Sequence, residues 1–549
     1  MCGQSADSLL VPRLPGSRES SDGHPMSNNM VARADTLSDV GIGYFAARDP
    51  GATAIVEPGG ARTTRAELVE VANRIGHALV DCGLKAGDRL AIISPNSAEF
   101  LAAYFAGIQT GLYVVPVNWR LADAEIAYVL EASRASLVLA HERLGMDRLQ
   151  RLAALVSGRA MVVVIGRCRG LASLDAFIAG QPATPVLSSV RGRVLAFTSA
   201  SSGRPKPVRH SLDTSREVFR RTVEWYRAMG IAAEERNVHL CASMLYHCAP
   251  LDCAAMALQL GHRVVLVDGW NAESLLRAIA RHRVTTSFMV PAMLARLLHL
   301  STGVRGRYSV TSLRHVVQGG APCPIHVMRG MLDWWGRVIW HGYGATEAMG
   351  TIASPDDWLR YPGTAGRPIP GVAVKILDER GKELPAGRIG IIYVSPWAGD
   401  RFEYEDDPRG TRDCYRGAYL TVGDLGFVND EGLLFVCGRR SELIISSGMN
   451  IYPAEIEQVL ARHPLVVDCA VSGEPHELLG EVPIAFVQLD PDVEPGPDLT
   501  LNILRFVARE LSTMKLPKRI EYLSQIPRDP NGKLHRSRLP SSLARPDVA

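Results

Sequence analysis

Apolar residues recur every three to four positions from Leu68 onward. Leu68, Val71, Ala72, Ile75, Ala78 and Leu79 fall on one helical face. Thr64 and Glu67 precede them at the spacing of a capping box, and Gly83 follows where a helix stops. Leu90–Ile93 reads as a strand, 98–109 as a helix and 113–117 as a second strand. Short apolar runs at 136–140, 160–165, 193–197, 284–290, 314–318 and 337–340 continue the series, mostly separated by helical stretches. Strands alternating with helices predict parallel sheets covered on both faces.

The pattern changes after about residue 365. Residues 372–378 and 389–395 read as strands joined through the turn-rich DERGKELPAGR, which predicts a β-rich subdomain. A third texture begins near 440, with helix 454–462, strands 466–471 and 484–489, helix 500–511 and strand 519–523. The expected fold is α/β: a large N-terminal domain (38–438) of parallel-type sheets with helices plus a β-rich subdomain, and a small α+β C-terminal domain (439–549). Residues 1–37 are rich in Ser, Gly, Pro and charge and read as a disordered extension without the apolar stretch of a signal peptide. Met26 and Met30 are alternative start sites within it.

Composition narrows the class. The chain has 549 residues, 47% apolar and 21% charged, so a large core is expected. A net charge of +3 gives no argument for nucleic acid. Ten cysteines without a CxxC pair point to a reducing, cytoplasmic setting. His247, Cys248 and Cys253 cluster, but four suitably spaced zinc ligands are absent. No apolar run reaches bilayer length, although a hydrophobic substrate would draw the protein to a membrane surface.

Four stretches carry candidate chemistry. FTSASSGRPKPV (197–208) offers hydroxyls from Thr198, Ser199, Ser201 and Ser202, backbone freedom at Gly203 and a cation at Lys206, a set suited to a polyphosphate. It is not a Walker loop, because no Gly-Lys pair here is followed by Ser or Thr. HGYGATEA sets the aromatic Tyr343 beside Gly344, with Thr346 as a phosphate donor and Glu347 as a Mg²⁺ ligand. TVGDLG puts Asp424 in a tight turn, where a carboxylate can accept both ribose hydroxyls. IPRDPNGKLHR places Lys533 at a glycine turn. Singly, each also reads as a surface loop, a buried aromatic, a turn aspartate or a solvated lysine.

In this order the stretches resemble the adenylate-forming superfamily, which includes acyl-CoA synthetases, firefly luciferase and peptide-synthetase adenylation domains. The resemblance runs from about residue 40 to about 540 and includes GLKAGDRLAIISPNSAEF, PVNWRLADAEIAYVL, VPAMLARLL, QGGAP, GRPIPG, GRRSELIISSGMNIYPAEIE and LGEVPIAFV. It implies an ATP-dependent, Mg²⁺-assisted ligase that makes an acyl-adenylate and passes the acyl group to coenzyme A. It assigns Lys533 to the carboxylate and α-phosphate, Glu347 to Mg²⁺, Thr346 to the phosphates, and Thr198, Ser199 and Lys206 to the β- and γ-phosphates. Tyr343 and the turn Gly319-Gly320-Ala321-Pro322 would frame the adenine, and Asp424 and Arg439 the ribose. The C-terminal domain would rotate about Ser441 between steps, after which Gly448 would line the pantetheine tunnel. Tyr246 and His247, in LYHCAPLDCAAM, match an aromatic-His pair beside the substrate carboxylate. Asp252 does not match the aspartate of amino-acid-activating members, which favours an apolar or aromatic acid. A homodimer is compatible with the family. Transfer to a carrier protein, or a binding protein without turnover, are the alternatives.

The sequence departs from the family pattern at the opening loop, where Ala200 and Pro207 replace glycines, and at Val422, where a threonine is usual. Arg388 and Ile391 stand where glutamates are common.

Overall fold

The computed structural model describes residues 39–186, 188–198, 205–214, 216–233, 236–269, 271–397, 400–529, 532 and 534–540. Ser199, Ala200, Ser201, Ser202, Gly203, Lys533 and the 1–37 extension lie outside the described residues.

The helix Arg65–Asp81 starts as its sequence demands: Thr64 Oγ1 accepts the Glu67 N–H at 3.2 Å and Glu67 Oε2 accepts the Thr64 N–H at 2.7 Å. The strand Arg89–Ile93 sits inside a six-stranded parallel sheet. A nine-stranded sheet has a parallel centre, from Thr53–Val56 through Arg263–Leu266, Val238–Cys241, Thr286–Met289 and His315–Gln318 to Ile339–Gly344. Antiparallel strands close both its edges.

The helix Ala98–Gln109 is apolar almost all round and buried at Ala98 and at every position from Phe100 to Ile108. It shares one core with Leu90 and Leu139 of the six-stranded sheet and Cys241, Val264 and Leu266 of the nine-stranded one. A helix with no polar face belongs between layers, and this one welds the two sheets together.

The expected β-rich subdomain is an antiparallel six-stranded sheet. The expected α+β unit is a five-stranded sheet with helices Pro453–Leu460 and Pro497–Ala508. Two elements differ from expectation. The run 193–197 is two short strands: Arg193–Val194 ends the six-stranded sheet, and Ala196–Phe197 joins a small antiparallel sheet with Pro207–His210. The strand expected at 466–471 extends to His476, because its polar end pairs with Gly480–Leu489 in a hairpin.

Candidate active site

The parallel strands of the nine-stranded sheet lead into the loops that carry His247, Gly319–Pro322, Thr346 and Glu347. After His315–Gln318 comes Gly319, whose added Cβ would lie 2.8 Å from the Gly342 carbonyl oxygen. Only glycine allows that approach between neighbouring strands. Gly320 follows at φ +82, before Ala321 and Pro322.

Tyr343 lies on the next strand. Its hydroxyl donates to Asp424 Oδ2 at 2.9 Å, and Arg439 Nε is 3.3 Å from Asp424 Oδ1. The antiparallel register sets Asp424 opposite Arg439. Burial pushes the Asp424 carboxyl above its usual range, opposed by Arg439 and Tyr343. Tyr343, Asp424 and Arg439 are thus brought together. Beside Val422, the Gly423 N–H donates to Thr421 Oγ1 at 3.0 Å.

Beyond Gly344 the chain turns back at Ala345–Ala348. Glu347 is buried there, and its Oε1 accepts a hydrogen bond from the Tyr404 hydroxyl at 2.7 Å. Tyr404 was not singled out from sequence; it lies in the charge-rich segment RFEYEDDPRG. Lys206 Nζ lies 5.4 Å from the centre of the Tyr404 ring and 2.5 Å from Asp407 Oδ2. A chain of contacts therefore ties the loop lysine to the Glu347 carboxylate. Thr198 N–H donates to the Lys206 carbonyl at 2.9 Å, which closes the base of the opening loop. Pro207 opens its strand, a position proline tolerates, and its carbonyl accepts the Glu405 N–H at 3.1 Å.

Thr346 meets the fold through its carbonyl, which accepts from His210 Nε2 at 3.2 Å. His210 Nδ1 is 3.2 Å from Asp400 Oδ2, which also accepts from Arg193 Nη2 at 2.6 Å. Sequence reasoning missed this His210–Asp400–Arg193 group, since its members lie far apart in the chain.

Tyr246 and His247 stand at the start of the helix Cys248–Gln259, with ring centroids 4.6 Å apart. Tyr246 is buried, its hydroxyl is without a hydrogen-bond partner among the described residues, and burial raises its pKa to about 12. The helix buries Leu251 and Ala254–Gln259 in the core. Its other face leaves Cys248 and Cys253 half-buried and Ala249 and Asp252 exposed. That face therefore carries a carboxylate. Asp252 is exposed on this face, and desolvation by its surroundings raises its pKa to about 6 against the pull of Arg193 and His210.

The C-terminal segment reaches the same region. Asp529 acts electrostatically on Tyr246. Gly532, at φ +78, packs against the start of the helix Pro291–Leu298, where an added Cβ would meet Ala292 Cβ at 2.5 Å. Ser441 sits exposed in the short turn Arg440–Glu442. Arg440 pairs with Glu379 at 2.8 Å, and Arg536 pairs with Glu442 at 3.1 Å and Glu457 at 2.7 Å. These pairs flank Ser441. Gly448, at φ +75, follows Ser447 at φ +49 in the tip of an exposed hairpin, the conformation a two-residue primed turn needs.

Residues 44–396 match the family profile of AMP-binding enzymes, and residues 455–533 match the AMP-binding enzyme C-terminal domain. The chain belongs to this family. Within this adenylate-forming superfamily it is similar to the fatty acid–[acyl-carrier-protein] ligase ScoC of Streptomyces coeruleorubidus, with 30% identity over 90% of this chain and 94% of that protein. It is similar to a feruloyl-CoA synthase of Amycolatopsis sp, with 33% identity over 91% and 98% of the two chains. Among solved structures it resembles o-succinylbenzoate CoA synthetase (MenE) of Bacillus subtilis, in complex with its acyl-adenylate intermediate, with TM-score 0.77 and 26% identity over 92% of this chain and 98% of that one. Among the described residues no helix is long and apolar enough to cross a membrane.

Proposed function

We propose that this AMP-binding enzyme joins a carboxylic acid to ATP, releasing pyrophosphate, and transfers the acyl group from the acyl-adenylate to the thiol of coenzyme A. The observation that carries this reading is the convergence of Tyr343, Asp424 and Arg439 with the Glu347–Tyr404–Lys206 chain around one sheet end.

A carboxylate is a poor electrophile, so the acid oxygen attacks the α-phosphorus and pyrophosphate departs. The transition state gathers negative charge on phosphoryl oxygens, and positioned donors and cations stabilise it. Asp424 accepts the ribose hydroxyls, with Arg439 holding its carboxylate in place. Tyr343 and Gly319–Pro322 frame the base. Lys206, Thr198 and Thr346 face the phosphates, with Ser199, Ser201, Ser202 and Gly203 completing the loop. Lys533 supplies the cation between acid and α-phosphate. His247, with Tyr246, borders the carboxylate. Rotation about Ser441 then replaces Lys533 with the hairpin of Gly448, which guides the thiol to the acyl carbon while AMP leaves.

Among the described residues no three His, Cys, Asp or Glu side chains form a metal cage. The lone buried Glu347 fits Mg²⁺, which favours one or two carboxylates with substrate phosphates over an all-protein site. Glu347 would hold the ion, which neutralises phosphate charge when bound. The Tyr404 hydroxyl holds one oxygen of this carboxylate in place.

The similarity to ScoC favours a second acceptor, a carrier-protein thiol, within the same adenylation chemistry. Carboxylate-dependent ATP–pyrophosphate exchange with short, long and aromatic acids tests the first step. Exchange is expected with one class of acid and is lost in Lys533→Ala. Its absence with every acid, in a folded protein that binds AMP, overturns the reading. Adding coenzyme A or a carrier protein to an active mixture then identifies the acceptor.

A further inference from the structure

Cys253 of the helix Cys248–Gln259 lines a cavity of about 20 Å³, with room for one water-sized group. Its walls include Tyr226, His239, Cys253, His262, Ser287 and His315. Several of their polar atoms are engaged. The Tyr226 hydroxyl donates to Cys253 Sγ at 3.6 Å, Ser287 Oγ donates to the Leu240 carbonyl at 2.8 Å, and His262 Nε2 donates to the Ala232 carbonyl at 2.8 Å.

His239 differs. It is 4% exposed, its Nδ1 lies 3.0 Å from Thr286 Oγ1, and its Nε2 has no hydrogen-bond partner among the described residues. A buried polar atom left in this state is costly and calls for a partner.

The position of this atom can be read from the strands. His239, Thr286 and His315 are register neighbours across three parallel strands and share one sheet face. Val317 and Gly319 continue the same face from His315. Four residues at about 3.3 Å each put Gly319 about 13 Å further on. The helix gives an independent figure: Cys253 is six residues beyond His247, or about 9 Å at its rise per residue. Between them lies the open face of Cys248, Ala249 and Asp252.

We infer that the acid carries a hydroxyl about 10 Å from its carboxylate, and that His239 Nε2 hydrogen-bonds this hydroxyl. The inference rests on the adenylation reading, which puts the carboxylate at His247. A hydroxyl both donates and accepts, so it satisfies either imidazole tautomer. A second carboxylate would not: burial lowers the pKa of His239 to about 3, which keeps the ring uncharged. His239 is a specificity-determining residue in this view.

The test uses matched acids, 4-hydroxycinnamic against cinnamic and 8-hydroxyoctanoic against octanoic. Binding by calorimetry and pyrophosphate release are both measured for the full chain, His239→Leu and His239→Gln. The wild type is expected to favour at least one hydroxylated acid by about tenfold or more in both readouts, as buried hydrogen-bond recognition allows. His239→Gln keeps a donor and an acceptor and retains part of the preference. His239→Leu loses it and gains on the parent acid. Equal handling of both pairs by the wild type, or an undiminished preference in His239→Leu, overturns the inference while leaving adenylation standing. Preferential binding without pyrophosphate release keeps the inference and overturns adenylation. Absence of both overturns both. If His239→Leu fails to fold, the wild-type preference and its reduction in His239→Gln decide the matter.

Discussion

The two groups of polar side chains proposed to meet nucleotide and acid are built on opposite principles. In the group proposed for the nucleotide the polar side chains bind one another: Tyr343 to Asp424, Asp424 to Arg439, Tyr404 to Glu347 and Lys206 to Asp407. In the group proposed for the acid, Tyr246 Oη and His239 Nε2 are without hydrogen-bond partners among the described residues. Mutual hydrogen bonds hold the first set in position before a ligand arrives, so binding requires little reordering. The second set instead leaves deficits that only a suitable ligand corrects, and such deficits discriminate between acids. One group suits a fixed substrate and the other a selected one.

The comparison can be broken by substitution. The largest effect is expected in the prearranged group. Glu347→Ala should lower the rate of adenylation by about 10²–10³-fold, the scale for removing one positioned electrostatic group. Pyrophosphate release over a Mg²⁺ titration checks this, and a loss under tenfold would deny Glu347 its role. Ser441→Pro comes next, because a fixed φ at a pivot resists rotation. Thioester formation should fall by at least about tenfold while ATP–pyrophosphate exchange continues. Equal loss in both assays would remove Ser441 from the hinge.

Tyr404→Phe probes the prearrangement itself. Loss of one hydrogen bond of ordinary net worth predicts about a threefold to tenfold fall in kcat/KM, with a raised Mg²⁺ requirement. An unchanged Mg²⁺ titration would show that Glu347 needs no support from Tyr404.

The smallest effect is one of stability. Asp252 has a folded pKa of about 6, above the usual aspartate value. The folded state therefore holds this proton more tightly than the unfolded one, and stability falls as pH rises through that interval. Asp252→Asn removes this loss. Its Tm relative to wild type should be higher at pH 8 than at pH 4, as thermal melts at the two values would show. A pH-independent difference would mean that Arg193 and His210 fully compensate the carboxylate.

Much of the fold was legible because it depends on local signals. The Thr64–Glu67 box, the apolar face of Arg65–Asp81 and the span Ala98–Gln109 all stand as the sequence predicts. The grouping of Tyr343, Asp424 and Arg439 was implied by the family resemblance. Tyr404 was not, since it meets Glu347 across 57 residues from a segment with no apolar period. Asp400 meets Arg193 across 207 residues, with equally little trace in the sequence. The composition of 248–258 does not say which side of that helix is left exposed. Packing of Leu251 and Ala254 into the core turned Asp252 outward. His239 is likewise an ordinary member of a strand until the register sets it beside Thr286 and His315.

The helix Ala98–Gln109 has a consequence for biosynthesis. One of its sides is covered by strands Arg89–Ile93 and Leu137–His141, which leave the ribosome close to it in time. The other needs Cys241, Leu258 and Leu266. At about 5–20 residues per second, some 150 residues of further synthesis leave that side uncovered for roughly 8–30 s. During that interval the nascent chain displays the uncovered apolar side of this helix to its surroundings, which makes this stage, rather than the finished enzyme, the point of greatest exposure to chaperones and to aggregation.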